Sequence, residues 1–204
     1  GGGVDEDGAG AVLAETTALY SIENACTQLI TPVLVQIGDD WHSGKVPVTT
    51  EHFATHYLLG RLLALFNSLT VRDGDLVLVG CAPGERHEVG SLMLSLFLRR
   101  RGINVRYLGG EIPTQDWAKV IMEIQPKVVA VSATGVETAR TLASIPEQLR
   151  RHGFVGTHIV LGGQAFARDP DLVKQLTGAY VGTDIMAGVA RISQLVHHSG
   201  VDTA

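Results

Sequence analysis

A chain of 204 residues, 45% apolar and 18% charged, is long enough for one or two globular domains with a sizeable core and too apolar to be disordered. Its formal net charge of −5 argues against nucleic-acid binding through the overall field, and no uncharged apolar run approaches a membrane span. Cys26 and Cys81 stand far apart with no C-x-x-C pair, so no zinc site or disulfide framework is indicated; with no secretory pattern at the start, a cytoplasmic location is expected.

In chain order, residues 1–10 (GGGVDEDGAG) read as a linker or disordered start. Residues 11–70 read as a helical bundle. AVLAETTALY suits a short helix, and SIENACTQLITPVLVQIGDDW suits a second with Pro32 inside it as a candidate kink. TTEHFATHYLLGRLLALFNSL suits a third, with a Thr N-cap and leucines at helical spacing. Three such helices leave apolar faces that need a partner, either a fourth helix or the next domain.

The pattern changes after Asp73-Gly74. DLVLVGCAP, INVRYLGG, KVVAVSAT and THIVLGG are short β-branched runs ending in Gly, Ser or Pro, and Tyr180-Val181 suits a short fifth strand before a last helix near 185–197. Helical stretches separate them. The first, HEVGSLMLSLFLRRR, ends in Arg99–Arg101 before Gly102, as expected for positive charge on a helix C-terminus followed by a glycine cap. Strands buried on both faces and alternating with helices predict an α/β fold over residues 71–204. The expected form is a flavodoxin-like, Rossmann-like, doubly wound five-stranded parallel sheet. Its ligand would lie beyond the carboxyl ends of the strands, at the switch point.

Three loops reach that end: GERHEVG at 84–90, Ser132-Ala133-Thr134-Gly135, and Gly162-Gly163-Gln164. The first puts His87 at the mouth, flanked by Glu85, Arg86 and Glu88, with Gly90 allowing close backbone approach. A loop histidine has an ordinary reading as a solvated surface residue, and the small residues of the other loops one as strand-to-helix turns. Together those two loops would open a narrow slot between the third and fourth strands.

Glu85-x-His87-x-x-Gly90, followed by the Ser132/Thr134 loop and Gly162-Gly163, resembles the cobalamin-binding fold, whose common form has Asp where this chain has Glu85. The resemblance implies that His87 is the lower ligand of cobalt and that Glu85 holds the other imidazole nitrogen. It also implies that Arg86, Glu88 and Gly90 border the cofactor while Ser132, Thr134, Gly162 and Gly163 line the tunnel for its displaced nucleotide tail.

WHSGKVPVTTEH, residues 41–52, belongs to the bundle. A Trp, then nine residues, then Glu-His resembles cobalamin-dependent photoreceptors of the CarH type, as do TPVL before the Trp and YLGGEIP after the second strand. The likeness runs from about Asp5 onward. It implies that the bundle caps an adenosyl group on the upper face of adenosylcobalamin, with Trp41 as its aromatic wall, Glu51 and His52 as polar contacts, and Val48 at another position that binds the cofactor. It further implies that His42 binds cobalt once light has removed the adenosyl group, so that two histidines draw the two parts into a new arrangement. The ordinary readings are a boundary aromatic and first-turn residues favoured by a helix dipole. His52 and His56, four apart on one helical face, have a zinc-compatible spacing but no H-E-x-x-H.

The DNA-binding domain of the MerR kind that accompanies such sensors, and the first helix of their four-helix bundle, have no counterpart in this sequence. The expectation is either a trimmed fragment or a standalone sensor with its output in another domain or protein. The resemblance also implies a homo-oligomer, a head-to-tail dark dimer with Arg86, Gly102 and Glu111 at its interface, and leaves open a bilin as second chromophore. Competing readings are a corrinoid protein that carries methylcobalamin in a methyltransferase system and the cobalamin subunit of a mutase. The expected activity is sensing rather than turnover.

Overall fold

The computed structural model describes residues 20–153, 156–176, 179–182 and 184–197. The expected linker at 1–10 and nearly all of the AVLAETTALY helix lie outside them. The chain divides into two compact units, residues 1–61 and 62–204.

In the first unit, the Ser21 side chain accepts a hydrogen bond from the Asn24 N–H at 3.2 Å and caps α1 (Ile22–Ala25). The helix continues through a π-helical turn (Cys26–Ile30) into α2 (Thr31–His42). Pro32, expected to kink the helix, is accommodated by that widened turn. A proline has no N–H and crowds the carbonyl of the preceding turn, and here the Thr31 N–H and hydroxyl both reach back five residues to the Cys26 carbonyl. Gly44, at φ +75°, and Pro47 then reverse the chain into α3 (Val48–Ser68). This helix begins at Val48, ahead of both threonines, so the expected Thr N-cap is replaced by a first turn in which the Thr50 N–H donates to the Pro47 carbonyl at 3.0 Å.

The second unit is a parallel sheet of order β2-β1-β3-β4-β5, made of β1 (Leu76–Cys81), β2 (Asn104–Tyr107), β3 (Val128–Ser132), β4 (His158–Gly162) and β5 (Ala179–Gly182). The helices between them are α4 (Val89–Arg100), α5 (Thr114–Ile124), α6 (Val136–Thr141), α7 (Ser144–Arg151), α8 (Ala165–Arg168) and α9 (Asp171–Gln175); α10 (Ile185–His197) ends the described chain. Side chains alternate across the strands. Leu78, Val129, Val131 and Leu161 join one core with Trp117, Ile121, Ile145 and Leu149. Gly80 makes room there, because a Cβ on it would stand 2.8 Å from the Trp117 ring, and the indole N–H donates to the Cys81 carbonyl at 3.1 Å.

α4 packs against α10 and on β1 and β2. As its basic end predicted, it closes on Gly102, which takes φ +79° and donates to the Arg99 carbonyl. The Arg99 guanidinium turns inward, donates to the carbonyls of Phe66 at 3.1 Å and Val105 at 2.7 Å, and lies 3.4 Å over the Phe66 ring. It thereby ties the last turns of α3 to the sheet edge. No helix among the described residues is long and apolar enough to cross a membrane. Because the chain goes from β1 outward to β2 and then back across to β3, the switch point falls between β1 and β3, where the loops after these strands diverge.

Candidate functional site

The loop after β1 is shaped by its own backbone. The Ala82 N–H donates to Ser132 O at 2.8 Å, the Glu85 N–H donates to Ala82 O at 2.9 Å, and Gly84 between them takes φ +75°. The result is a turn that directs Glu85 inward, 2% exposed, and His87 outward, with 71% of its side chain exposed.

Each carboxylate oxygen of Glu85 meets three donors. Oε1 accepts from the backbone N–H groups of Arg86 and His87 at 3.0 Å each and from His87 Nδ1 at 2.5 Å. Oε2 accepts from the N–H groups of Thr134 at 2.8 Å and Gly135 at 3.0 Å and lies 2.8 Å from the Thr138 hydroxyl. Burial by itself would raise the Glu85 pKa. The hydrogen bonds from His87, Gly135 and Thr134 outweigh it and hold the carboxyl well below the usual carboxylate range. An ionised Glu85 can only accept, so His87 Nδ1 carries a proton, and Nε2 is left as the nitrogen that a metal would take. The extra methylene relative to Asp lets one carboxylate serve the β1 loop with one oxygen and the β3 loop with the other.

Thr138, at the start of α6, is the residue that reading the sequence missed. Its only advance signal was a hydroxyl in the first helical turn after the Ser132 loop. Thr138→Val is expected to cost about 1 kcal/mol of stability, the net worth of one such hydrogen bond. Chemical denaturation of the two proteins measures it, and an unchanged midpoint would show that Glu85 is adequately held by backbone alone.

Of the other expected site residues, Gly90 and Ser132 come together. Beyond its own helix and chain neighbours, a Gly90 Cβ would meet only the Ser132 hydroxyl, at 3.8 Å, so exposed Gly90 is open on that side. Thr134 is held through its N–H by Glu85. Gly163 is required by this chain's own backbone, and Gly162 is placed tightly against it. A Gly163 Cβ would lie 2.2 Å from Ala133 O, and a Gly162 Cβ 3.1 Å from Gly182 O. The close approach expected of a ligand at Gly163 is thus taken, on that side, by the Ala133 carbonyl. Exposed Arg86 reaches Glu111 at 2.7 Å, and Glu88 turns its carboxylate to the Tyr107 hydroxyl at 2.8 Å.

In the first unit, the reversal at 43–47 puts Trp41 and His42 at the end of α2 and Glu51 in the first turn of α3, with His52 next to it. The Trp41 and His42 rings meet edge-on with centroids 4.4 Å apart, and Trp41 and Val48 are each 39% exposed. His42 Nδ1 lies 2.7 Å from the Gly38 carbonyl, which can only accept, so the proton is again on Nδ1. Glu51 Oε2 meets His52 Nδ1 at 2.6 Å, and Oε1 accepts from the Thr55 hydroxyl at 2.9 Å. Glu51 therefore reaches any ligand as a pre-oriented carboxylate. His56 donates from Nδ1 to the His52 carbonyl at 2.8 Å, which turns its ring along the helix.

An exposed imidazole locked in the Nδ1–H tautomer by a buried ionised acid, with open backbone at Gly90 beside it, fits the lower ligand of a cobalt that brings its own ring of nitrogens. The comparisons with known proteins point to the same cofactor, without assigning roles to residues. Two families, both described as B12 binding domain, match residues 76–190 and residues 3–65. The chain is 28% identical over 154 residues to the HTH-type transcriptional repressor CarH of Myxococcus xanthus, covering 76% of this chain and 52% of that one. It is 28% identical over 94 residues to trimethylamine corrinoid protein 1 of Methanosarcina mazei, covering 46% and 44%. The chain thus spans about half the length of the curated relatives it matches. The monomethylamine corrinoid protein of Methanosarcina barkeri superposes with a TM-score of 0.78 at 12% identity, over 93% of this chain and 92% of that one, which speaks to the fold. With more than half of its length matched by one of the two families, the chain belongs to the B12 binding domain family.

Proposed function

We propose that the chain is the cobalamin-binding, light-sensing module of a signalling or transcriptional regulator and does not turn over a substrate. His87 is its lower cobalt ligand, and adenosylcobalamin is its cofactor. The observation that carries this reading is the second imidazole locked in the metal-ready tautomer, His42, in ring contact with Trp41. A methyl carrier, which must open its upper face to a partner enzyme, has no use for it.

Bound adenosylcobalamin would supply a cobalt–carbon bond that visible light can break. The residues have separate tasks around it. Glu85 holds His87 by Nδ1, which fixes the ring's orientation and leaves Nε2 as the nitrogen that would face a metal. Trp41 and Val48 would offer apolar surface to the adenosyl group, and Glu51, oriented by His52 and Thr55, could accept from ribose hydroxyls. His42, with Nδ1 engaged by the Gly38 carbonyl, would have Nε2 free to take cobalt in the light state, and such a change of ligand would bias a two-state arrangement read by the output. In the same reading, Arg86, Gly102 and Glu111 belong to a head-to-tail dimer of the dark state. The second reading, a methyl-carrying corrinoid protein, is supported by the likeness to a trimethylamine corrinoid protein.

The test is the absorption spectrum of the protein reconstituted with adenosylcobalamin in the dark and then after green light. A lasting shift to a cobalt(III) species with imidazole ligation, altered in His42→Ala, is the expected result. His87→Ala is expected to lose the histidine-ligated spectrum in the dark. Binding with no lasting light-induced change would sink the sensor and leave the methyl carrier.

A further inference from the structure

Tyr107 carries a half-buried phenol from the edge strand β2 to the turn that holds His87. Its hydroxyl donates to Glu88 Oε2 at 2.8 Å, and Glu88 is the residue between His87 and α4. The Glu88 carbonyl accepts from the Ser91 hydroxyl at 2.8 Å and from the Leu92 N–H at 2.9 Å, so this residue sets where the helix begins. Its side chain is enclosed by the next loop. A Cβ on Gly109 would stand 3.1 Å from its carboxylate, and one on Gly110 would stand 3.0 Å from its Cγ. Burial first, and then the Glu88 carboxylate, push the Tyr107 pKa well above its usual value, so the phenol stays protonated and is the donor. The ring below meets Phe66 edge-on with centroids 6.1 Å apart, and Phe66 in turn lies under Arg99. His87 is thus flanked by two anchors: Glu85 holds its ring and N–H, and Tyr107 holds the residue after it.

We propose that Tyr107 is a positioning residue for His87: by holding the Glu88 side chain it fixes where the turn enters α4, and so how the imidazole is presented to cobalt. The proposal rests on the reading of His87 as the lower ligand. Tyr107→Phe keeps the ring and its contact with Phe66 and removes only the donor.

In the dark, with adenosylcobalamin as probe, the variant is expected to lower the ratio of histidine-ligated to unligated cofactor about fivefold. That is about 1 kcal/mol, the net worth of one hydrogen bond. Absorption gives the ratio, and nitrogen splitting in the electron paramagnetic resonance spectrum of the cobalt(II) form confirms the ligand. In the protein without cofactor, amide exchange at residues 86–89 is expected to rise about fivefold while that of β3 and β4 stays unchanged. Glu88→Gln retains an acceptor and is expected to recover most of the ligated fraction; Glu88→Ala is expected to match Tyr107→Phe. An unchanged ratio in Tyr107→Phe, or faster exchange throughout the sheet, would overturn the proposal while the lower-ligand reading stands. If the wild-type protein itself shows no nitrogen splitting, the lower-ligand reading falls and the proposal with it.

Discussion

Glu85→Gln is expected to lower the stability of the unit formed by residues 62–204 by about 3 kcal/mol and to strip His87 of its tautomer lock. The wild-type carboxylate meets only donors, three on each oxygen. An amide of the same size must turn its NH2 either toward Arg86 and His87 or toward Thr134, Gly135 and Thr138. Either choice sets donor against donor in a site that is 2% exposed. Urea denaturation of both proteins gives the stability change, and the dark spectrum with adenosylcobalamin gives the histidine-ligated fraction, which is expected to fall at least tenfold. A loss below about 1 kcal/mol with the ligated fraction intact would show that Glu85 is not the keystone of this loop.

The same group makes a pH prediction. The folded-state pKa of Glu85 lies below its ordinary value of 4.5 because the hydrogen bonds outweigh burial. Its contribution is therefore complete above about pH 4.5 and is lost as pH falls from there toward the depressed folded pKa, since the unfolded chain takes up the proton first. Glu85→Gln is expected to flatten the acid limb of the stability curve over that window.

Gly163→Ala is the second large effect, with an expected loss of about 3–5 kcal/mol or a failure to accumulate folded protein. Two causes add. Gly163 takes φ +117°, a conformation that L residues adopt only under strain, and its Cβ would enter to 2.2 Å from the Ala133 carbonyl oxygen. The obstacle is backbone, held in place because the Ala133 N–H donates to Gly162 O at 2.9 Å and Ala133 O accepts from Ala165 N at 3.2 Å, so it cannot swing aside. Gly153→Ala separates the causes. Gly153 also has positive φ, +67°, but nothing lies within 4 Å of its Cβ position, so the expected cost there is about 1 kcal/mol. Similar denaturation midpoints for the two variants would mean that conformation, and not the approach of β3 to β4, decides this position.

Some of the site was legible because it is local. The tetrad from Glu85 to Glu88 follows a β-branched run and precedes a helix, so its place at a strand's carboxyl end could be read from the change of hydrophobic period alone. The pairs Trp41-His42 and Glu51-His52 were legible for the same reason, as neighbours flanking a Gly and a Pro that turn the chain. Thr138 was not, since its link to Glu85 spans 53 positions and exists only because β1 and β3 are adjacent in the sheet. The direction of Glu88 was not legible either. The groups its carboxylate meets, a phenol on β2 and a pair of glycines in the loop that follows, belong to the neighbouring strand and its loop and leave no mark in the local pattern. How the helix accommodates Pro32 was not legible, because a proline in a helical pattern has several remedies and a π-helical turn is one that leaves no mark in the pattern.

The sequence by itself therefore determined the alternation of strands and helices, the parallel sheet, and the identity and local order of the loop that carries His87. These depend on side-chain period and on contacts a few residues apart. Only the tertiary structure decided which nitrogen of His87 carries the proton, why a Glu serves where an Asp is common, and what the glycines at 162 and 163 make room for. Each of those depends on groups far apart in the chain that meet at the switch point, where hydrogen bonds are exchanged across strand neighbours and no local pattern records the partner.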